Sequence, residues 1–529
     1  MDELQREIDE YRDQHWDEVV ADIEALVSIE SVEDLEAAAE GAPYGPGPRK
    51  ALDQALAIAE RMGLDAHDCE GHVGYADFAG SSTSPSDQVG IIGHVDVVPA
   101  GPGWSFEPYA VTRREGYLLG RGVIDDKGPL MVALHAVKFW KDRCERNGQV
   151  LPRTIRVLFG ANEETNMKDV EYYRAHYEDP GFLFTPDSQF PVGYGESGIC
   201  SGTLTSAPVA EGAILEMHGG QAVNAVPGQA WAIVRADALT GANDADNAEG
   251  HTAQESGSAA ITLEHLGNGM VRVQAHGTSA HASTPELGRN AIGLLVDYLL
   301  DACACTPQER SFLQLAQRLH AYFDGSGLGV ACRDEHFGPL TAVGGVVNLD
   351  APSANGSGLG VACRGEHLGP LTAVGGVVNL DASSADGGEG EAPERRITQS
   401  IDFRYPTTTT SADIEQAVAQ LAAEAGATFV MEHDKTPFLM NPDSDDVRAL
   451  LDAYCLVTGE DAKGLTSKGG TYARCFTTGV SFGLEKPWED NPDWVGGMHG
   501  PDEGVSENLL KQAFSIYARA IANLMGIKE

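Results

Sequence analysis

A histidine and several carboxylates lie within one short stretch of the sequence, Gly93 to Gly128. His94 and Asp96 follow the apolar run Val89 to Ile92, which has the character of a buried strand. Residues two apart at a strand end point to the same side, and open α/β sheets hold ligands at the carboxyl ends of their strands. Imidazole and carboxylate groups together suit a divalent cation. The stretch predicts a metal site, against the alternative that each residue serves only in a turn or a cap.

Two further apolar segments end in acidic residues. Arg153 to Gly160 is followed shortly by Glu163 and Glu164, and Gly181 to Pro186 is followed by Asp187. The carboxyl ends of parallel strands meet at one edge of a sheet, and core packing does not require acids there. We therefore expect these carboxylates to join the histidine at one rim.

The composition excludes some classes of function. The chain has 529 residues and a formal net charge of −43, and such an acidic balance disfavours nucleic acids and anionic membranes as partners. The N-terminus has no basic and apolar signal segment, so we expect a cytoplasmic protein. The nine cysteines form no Cys-x-x-Cys pair, and their odd number favours free thiols over a disulfide framework.

The pattern of apolar residues predicts an α/β protein with an insertion. Residues 1–196 and 437–529 are expected to form a catalytic domain with a mixed sheet and helices on both faces. Within it, helices are predicted over 3–28 and, after a loop rich in glycine and proline, from Lys50 to Met62. Residues 197–436 alternate polar and apolar positions, which is typical of a half-exposed sheet, and we expect an α+β lid domain there.

The predicted lid domain contains a tandem repeat. Gly325 to Asn355 recurs, with few differences, as Gly356 to Asp386. Two copies are too few for a solenoid. One copy is expected to fill a place in the domain, while the other is looped out or added to a sheet edge. Two acidic or small-residue loops, Asn243 to Ser258 and Ser383 to Glu394, are expected to be mobile.

Motifs in a fixed order carry a resemblance to a known family. They are Gly-His-x-Asp-Val-Val-Pro from Gly93, Gly-Arg-Gly-x-x-Asp-Asp-Lys-Gly from Gly120, Asn-Glu-Glu from Asn162, Asp187, Gly-Gly-Thr-Tyr-Ala-Arg from Gly469 and Met-His-Gly from Met498. Together they resemble the co-catalytic di-zinc metallopeptidases that include aminoacylase and glutamate carboxypeptidase, and most closely the dipeptidase V branch. The resemblance covers nearly the whole chain.

The resemblance implies two metal sites that share one carboxylate. His94, Asp125 and Asp187 are expected to hold one cation, and Asp125, Glu164 and His499 the other. A bridging carboxylate keeps two cations about 3.5 to 4 Å apart, where they share a water and lower its pKa. Zinc is the first expectation, and carboxylate-rich sites also accept manganese or cobalt.

Other residues are assigned to catalysis by the same resemblance. Glu163 is expected to be the general base that takes the proton of the water and passes it to the leaving amine. Asp96 is expected to orient the imidazole of His94. The sequence alone leaves Asp126 open as the bridge, because it does not show which of two neighbouring aspartates points inward, and the family precedent favours Asp125.

The predicted lid domain contributes most of the remaining candidates. His281 matches the histidine that stabilises the oxyanion in this family, and Arg404 matches the arginine that binds the substrate carboxylate. Asn224 and, in the second part of the catalytic domain, Gly469 are weaker matches for substrate contacts. For each of these four residues a purely structural role is the alternative.

The sequence as a whole predicts a metal-dependent dipeptidase that hydrolyses short unblocked peptides, as a monomer or a homodimer. An N-acyl amino-acid deacylase of the same superfamily is the nearest alternative. A non-catalytic metal-binding protein that kept the fold is the alternative from a different class.

Overall fold

Two sheets organise the chain in the computed structural model, which describes residues 2–209, 212–240, 260–350 and 394–527. Contacts divide the chain into two compact units: unit 1 is Met1–Gly198, Asp334–Gly338 and Thr436–Glu529, and unit 2 is Ile199–Arg333 and Pro339–Lys435. The predicted boundaries lie after residues 196 and 436. The assignment of one unit to catalysis and the other to a lid stays a prediction.

The helices are, in chain order, α1 (Glu3–Val27), α2 (Pro46–Arg61), α3 (Lys127–Asn147), α4 (Lys168–His176), α5 (Ala291–Ala302), α6 (Pro307–Ala321), α7 (Ser411–Glu424), α8 (Asp445–Thr458) and α9 (Glu507–Leu524). The first strands are β1 (Asp65–Cys69), β2 (Val73–Phe78), β3 (Val89–His94), β4 (Thr112–Arg114), β5 (Tyr117–Leu119), β6 (Ile155–Gly160), β7 (Phe182–Thr185), β8 (Ser188–Gln189) and β9 (Gly193–Glu196). The next are β10 (Gly198–Thr205), β11 (Ile214–Gly219), β12 (Ala225–Val226), β13 (Gln229–Arg235), β14 (Ile261–Gly267), β15 (Met270–His276), β16 (Ala280–His281), β17 (Arg333–Asp334), β18 (Gly338–Pro339), β19 (Thr341–Leu349), β20 (Thr398–Tyr405) and β21 (Thr428–Lys435). The last are β22 (Phe438–Leu439), β23 (Leu465–Ser467), β24 (Gly479–Ser481), β25 (Leu484–Glu485) and β26 (Gly504–Ser506).

Unit 1 is built on a mixed sheet of nine strands among its described residues. The strand order is β1-β2-β6-β3-β7-β24-β9-β22, and β23 pairs with β9. Strand β3 is parallel to both β6 and β7, whereas β2 runs antiparallel to β6. A fully buried parallel strand can be apolar throughout, as β3 is up to Ile92. The predicted mixed sheet is thus confirmed.

Helices cover both faces of this sheet. Ile91 and Val157 lie in a large core cluster with apolar residues of α1, α2, α3, α8 and α9. Their sequence neighbours Ile92 and Leu158 lie in a separate cluster with Val170 of α4. Successive strand residues face opposite sides of a sheet, so the two clusters are the two faces. The predicted class of fold is confirmed by this arrangement.

Helix boundaries differ from the sequence prediction at one instructive place. Helix α2 begins at Pro46, not at Lys50, and therefore includes Gly47 and Pro48. Proline is tolerated in the first turn of a helix because the N–H groups there have no partner within the helix. The loop of glycine and proline was therefore predicted too long, since its last part is the start of the helix.

Unit 2 is built on an eight-stranded sheet among its described residues, in the order β14-β15-β13-β11-β19-β20-β10-β21. Apolar side chains of α5, α6 and α7 pack in its core. The first copy of the repeat supplies β19, which pairs antiparallel with β11 and β20. The second copy, the loop at 243–258 and all but the last residue of the loop at 383–394 lie outside the described residues.

Two further expectations can be compared with the described residues. Every cysteine there is a free thiol, as predicted. No helix among the same residues has the length and apolar character of a membrane span.

Candidate metal centre

Three parallel strands deliver polar side chains to one rim of the unit 1 sheet. His94 is the last residue of β3 and is paired in register with Gly160, the last residue of β6. Glu163 and Glu164 follow β6, and Asp187 follows the end of β7. The rim that the apolar segments predict is therefore present, and its side chains come from separate parts of the sequence.

The carboxylate of Asp125 lies between two histidines. Its Oδ1 is 3.0 Å from Nε2 of His94, and its Oδ2 is 2.9 Å from Nε2 of His499. His94 is fully buried, whereas the side chain of His499 is 52% exposed. One carboxylate thus faces two imidazoles that lie far apart in the sequence, which is the arrangement required of a bridging ligand.

Three more carboxylates complete the cluster. Glu164 Oε2 is 3.1 Å from His499 Nε2, and Asp187 Oδ2 is 3.7 Å from His94 Nε2. One possible ligand atom from each of His94, Asp125 and Glu164 lies within 4.8 Å of the other two. The same holds for His94, Glu163 and Asp187. Glu163 is therefore close enough to serve as a ligand, and its assignment as the base stays a prediction.

Asp96 and Asp126 form hydrogen bonds with residues of this cluster. The backbone carbonyl of Asp96 is 3.0 Å from Nδ1 of His94, and Asp96 Oδ2 accepts the Glu164 N–H at 3.1 Å. Asp126 Oδ2 accepts the N–H of His94 at 3.2 Å. Because Asp126 contacts the backbone while Asp125 contacts both imidazoles, the geometry favours Asp125 as the bridge.

Sequence reasoning missed two acids that position this rim. Asp169 Oδ2 accepts the N–H groups of Ala161 and Asn162, at 2.7 and 2.9 Å, and the hydroxyl of Tyr472. Glu503 is fully buried and accepts hydrogen bonds from the loop before Asp125. Asp169 follows the Asn-Glu-Glu motif and Glu503 follows Met-His-Gly, so their closeness to these motifs was the available signal.

Burial and mutual repulsion shift the protonation of the cluster. Burial, reinforced by the charge of Asp125, raises the pKa of Asp187 to about 8. Burial and the charge of Asp187 raise the pKa of Glu163 well above its usual value. Burial opposes ionisation of Asp125 too, but hydrogen bonds with His499 and His94 hold its pKa below the usual range. Carboxylates crowded in this way favour a bound cation that offsets their charge.

The donor set fits a divalent metal ion. Glu164 Oε1, Asp96 Oδ1 and Asp126 Oδ1 are buried and have no hydrogen-bond partner among the described residues. An unpaired buried carboxylate oxygen is costly, and a cation satisfies it. Imidazole nitrogen and carboxylate oxygen are ligands that zinc, manganese and cobalt accept.

The predicted catalytic residue His281 and the predicted substrate-binding residue Asn224 lie side by side in unit 2. The backbone carbonyl of Asn224 accepts the N–H of Ala282, and Ala225 pairs with His281 across β12 and β16. Nδ1 of His281 accepts the backbone N–H of Ser283 at 3.2 Å. This bond favours the neutral tautomer that carries its proton on Nε2, and the predicted oxyanion role requires a donor there.

The other two candidates occupy different surroundings. Arg404 is buried in β20, where its Nε and Nη2 donate to the Asp402 carboxylate at 2.7 and 3.0 Å. Asp402 therefore fixes the plane of the guanidinium. Gly469 follows β23 in unit 1, and its N–H donates to the Ser467 hydroxyl at 2.9 Å. Substrate contact by either residue stays a prediction.

Comparison with known proteins agrees with this fold. Residues 90–523 match the model of Peptidase family M20/M25/M40. A protein of Staphylococcus haemolyticus that carries the provisional name dipeptidase is 30% identical, over 96% of this chain and 97% of that relative. A similarly named protein of Bacillus subtilis is 27% identical, over 96% of this chain and 97% of the relative.

Solved structures show the same fold at low identity. Human carnosine dipeptidase 1 is 15% identical with a TM-score of 0.54, and the match covers 99% of this chain and 100% of that one. Aminoacylhistidine dipeptidase from Vibrio alginolyticus is 14% identical with a TM-score of 0.51, over 97% of this chain and 96% of that one.

The family match makes this chain a metallopeptidase, and the cluster of histidine and carboxylates at one rim of its sheet is consistent with that class. The chain belongs to Peptidase family M20/M25/M40 and is a peptide hydrolase. The predicted resemblance is confirmed by this membership.

Proposed function

We propose that this protein is a metal-dependent dipeptidase that hydrolyses short peptides with a free amino terminus. The observation that carries the proposal is the carboxylate of Asp125, which places one oxygen against His94 and the other against His499. The names of the relatives from Staphylococcus haemolyticus and Bacillus subtilis support the choice of substrate. The net charge of −43 disfavours nucleic acids and anionic membranes as partners. We propose that the protein acts in the cytoplasm, as a monomer or a homodimer.

The proposed ligands form two sets that share Asp125. His94 and Asp187 complete one set, and Glu164 and His499 complete the other. Divalent cations bound there would supply Lewis acidity and lower the pKa of water, so that hydroxide would be available as the nucleophile at neutral pH. Zinc is the first expectation, with manganese or cobalt as substitutes.

Glu163 is proposed as the base. It lies beside His94 and Asp187, so its carboxylate can take a proton from the attacking water and deliver it to the leaving amine. His281 is proposed to donate a hydrogen bond to the oxyanion, and Arg404 to bind the substrate carboxylate, with lesser contacts from Asn224 and Gly469.

The decisive experiment compares dipeptides with their N-acetylated forms. Metal-stripped protein is assayed on both substrates after zinc or manganese is added back, beside Glu163→Gln. The variant should bind metal and lose activity by a factor of about 10² to 10⁴, the usual contribution of a general base. Glu171→Gln, at an exposed position on α4, is the control and should keep full activity.

Three outcomes separate the alternatives. Hydrolysis of free dipeptides that returns with metal and is lost in the variant supports the proposal. Hydrolysis of the N-acetylated substrates alone identifies a deacylase instead. Metal binding without turnover of either substrate identifies a non-catalytic binding protein.

A further inference from the structure

The loops that carry Asp125 and His499 are joined by a short antiparallel strand pair. Strand β5 precedes the Asp125 loop, strand β26 follows the His499 loop, and Leu119 is paired with Gly504. Glu503, the residue before β26, accepts the N–H of Gly120 at its backbone carbonyl, at 2.9 Å. Both loops are therefore connected to the same end of this strand pair.

The side chain of Glu503 reaches into the backbone of the Asp125 loop. Its Oε1 accepts the N–H of Gly122 at 2.8 Å and that of Ile124 at 3.3 Å. Ile124 is the residue immediately before Asp125. A buried side-chain oxygen that accepts two alternate backbone N–H groups fixes the path of the chain there, because any movement of the loop leaves buried polar groups without partners.

The other oxygen of Glu503 binds a guanidinium that contacts the His499 loop. Arg121 Nη1 donates to Glu503 Oε2, and Arg121 Nη2 lies 3.4 Å from the carbonyl oxygen of Gly500. Both side chains are at most 1% exposed. The residue beside that carbonyl, His499, has a φ of +62°, a region that non-glycine residues rarely adopt and that surrounding contacts must maintain.

We propose that Glu503 and Arg121 are positioning residues that hold Asp125 and His499 at the separation required by a shared cation. The inference rests on the proposed metal-dependent function and adds residues to which that proposal gives no role. The alternative is that Glu503 and Arg121 form an ion pair that contributes to the stability of the fold and has no effect on metal binding. Against this alternative, Glu503 binds the backbone next to Asp125, and Arg121 contacts the backbone next to His499.

The same chain segment offers a matched control. Glu507, four residues later, accepts two bonds of 2.7 Å from Arg113 and one of 2.9 Å from the indole of Trp16. It is also buried and also joins the C-terminal segment to the segment around β5. No bond from its carboxylate reaches the loops of Asp125 or His499 in the described residues. The Arg113 side chain is 48% exposed, so removing the charge of Glu507 tests the loss of a partly buried ion pair that lies away from the metal ligands.

The test measures metal affinity as well as activity. Metal-stripped wild type, Glu503→Gln and Glu507→Gln are titrated with Zn²⁺ in competition with a chromophoric chelator, at a temperature where circular dichroism shows each protein folded. Loss of a residue that orients metal ligands typically weakens metal binding 10- to 100-fold, so we expect about that loss for Glu503→Gln. Glu507→Gln should bind Zn²⁺ as wild type does, although it unfolds at a lower temperature.

A second variant, Arg121→Lys, keeps the test possible if Glu503→Gln does not fold. Arg121→Lys keeps a positive charge for Glu503 but lacks the fork that contacts Gly500, and it should also weaken Zn²⁺ binding. Wild-type affinity in whichever of the two variants folds overturns the inference, as does equal weakening in Glu507→Gln. If wild type itself binds no divalent cation, the proposed function fails instead, and the two failures are distinguished.

Discussion

Each oxygen of the Asp125 carboxylate lies against a different histidine, and this one side chain joins His94 to His499. The sequence indicated the residue types, because histidine and carboxylates at strand ends are typical of metal sites. It did not decide between Asp125 and Asp126, which are neighbours with identical side chains. The choice depends on the direction of each Cα–Cβ bond, and only the folded backbone of the loop determines that.

At the residue scale, we predict that Asp96→Asn weakens metal binding by about 10- to 100-fold. The Asp96 carboxylate has one oxygen 3.5 Å from Nδ1 of His94 and accepts the N–H of Glu164 with the other, so loss of its charge weakens its hold on two proposed ligands together. Asp77→Asn is the control, because Asp77 pairs with Arg156 by two bonds of 2.8 and 2.7 Å away from the cluster. Zn²⁺ titration of both stripped variants makes the measurement. Equal affinities would show that Asp96 does not act on the metal ligands.

A second prediction at the residue scale concerns the stability of the fold at low pH. Nε2 of His320 is buried without a hydrogen-bond partner among the described residues, and burial lowers the pKa of this ring to about 4. The unfolded chain, with a histidine pKa near 6.5, therefore takes up the proton first as the pH falls. This contribution to stability is full above pH 6.5 and decreases toward pH 4, by about 1 to 2 kcal/mol between pH 7 and pH 5.

Urea denaturation of wild type and His320→Gln at pH 7 and pH 5 checks this expectation. The variant cannot be protonated at that position, so its stability should fall less over the same interval. If both proteins lose the same free energy of unfolding, His320 does not contribute to the acid sensitivity.

At the scale of elements, the carboxyl ends of β3, β6 and β7 were predictable because each strand is a short apolar run that ends in polar residues. The contacts that hold these strand ends in position were not predictable. Asp169 binds the backbone after β6 together with Tyr472, which lies far away in the sequence. No local pattern encodes a contact between such distant residues, and the same holds for Glu503 and Arg121.

The end of β6 carries a prediction about packing. A Cβ atom at Gly160 would overlap the hydroxyl and ring of Tyr472. Because this region is tightly packed, Gly160→Ala should lower the free energy of unfolding by about 1 to 3 kcal/mol, the usual cost of overpacking. Urea denaturation of the stripped protein provides the value.

The control for this substitution is Gly497→Ala. An added Cβ there meets nothing within 4 Å, and the φ of Gly497 is not in the left-handed region. Its free energy of unfolding should stay within about 0.5 kcal/mol of wild type. A Gly160→Ala protein as stable as this control would mean that Tyr472 moves aside at little cost.

At the scale of the molecule, the sequence predicted an interrupted α/β protein because the two kinds of sheet have different patterns. Apolar runs such as β3 indicate a buried parallel sheet, whereas alternation such as that of β15 indicates a sheet with one exposed face. The repeat obscured part of this pattern. Its two copies are nearly identical, so no local preference distinguishes the copy that forms β19.

Removal of metal should lower the stability of the whole protein. The buried carboxylates repel one another, and a cation that binds the folded state stabilises it by about 2.7 kcal/mol at a concentration 100-fold above its dissociation constant. Adding Zn²⁺ or Mn²⁺ to stripped protein should therefore raise Tm in a concentration-dependent way, measured by differential scanning calorimetry.

Asp125→Ala separates this effect from general attraction of cations to a chain of net charge −43. The variant lacks the carboxylate common to both proposed ligand sets, and its Tm should respond only weakly. A rise in Tm as large as that of wild type would place the stabilising cation elsewhere on the acidic surface.

The wide separation of the two histidines in sequence also has a consequence for synthesis. A growing polypeptide exposes His94, Asp125, Glu164 and Asp187 long before His499 has been translated. Until then Asp125 has only one of its two imidazole neighbours, so a nascent chain can hold at most an incomplete set of ligands. With these residues as the ligands, we expect peptide cleavage only after His499 has been translated and has folded against Asp125.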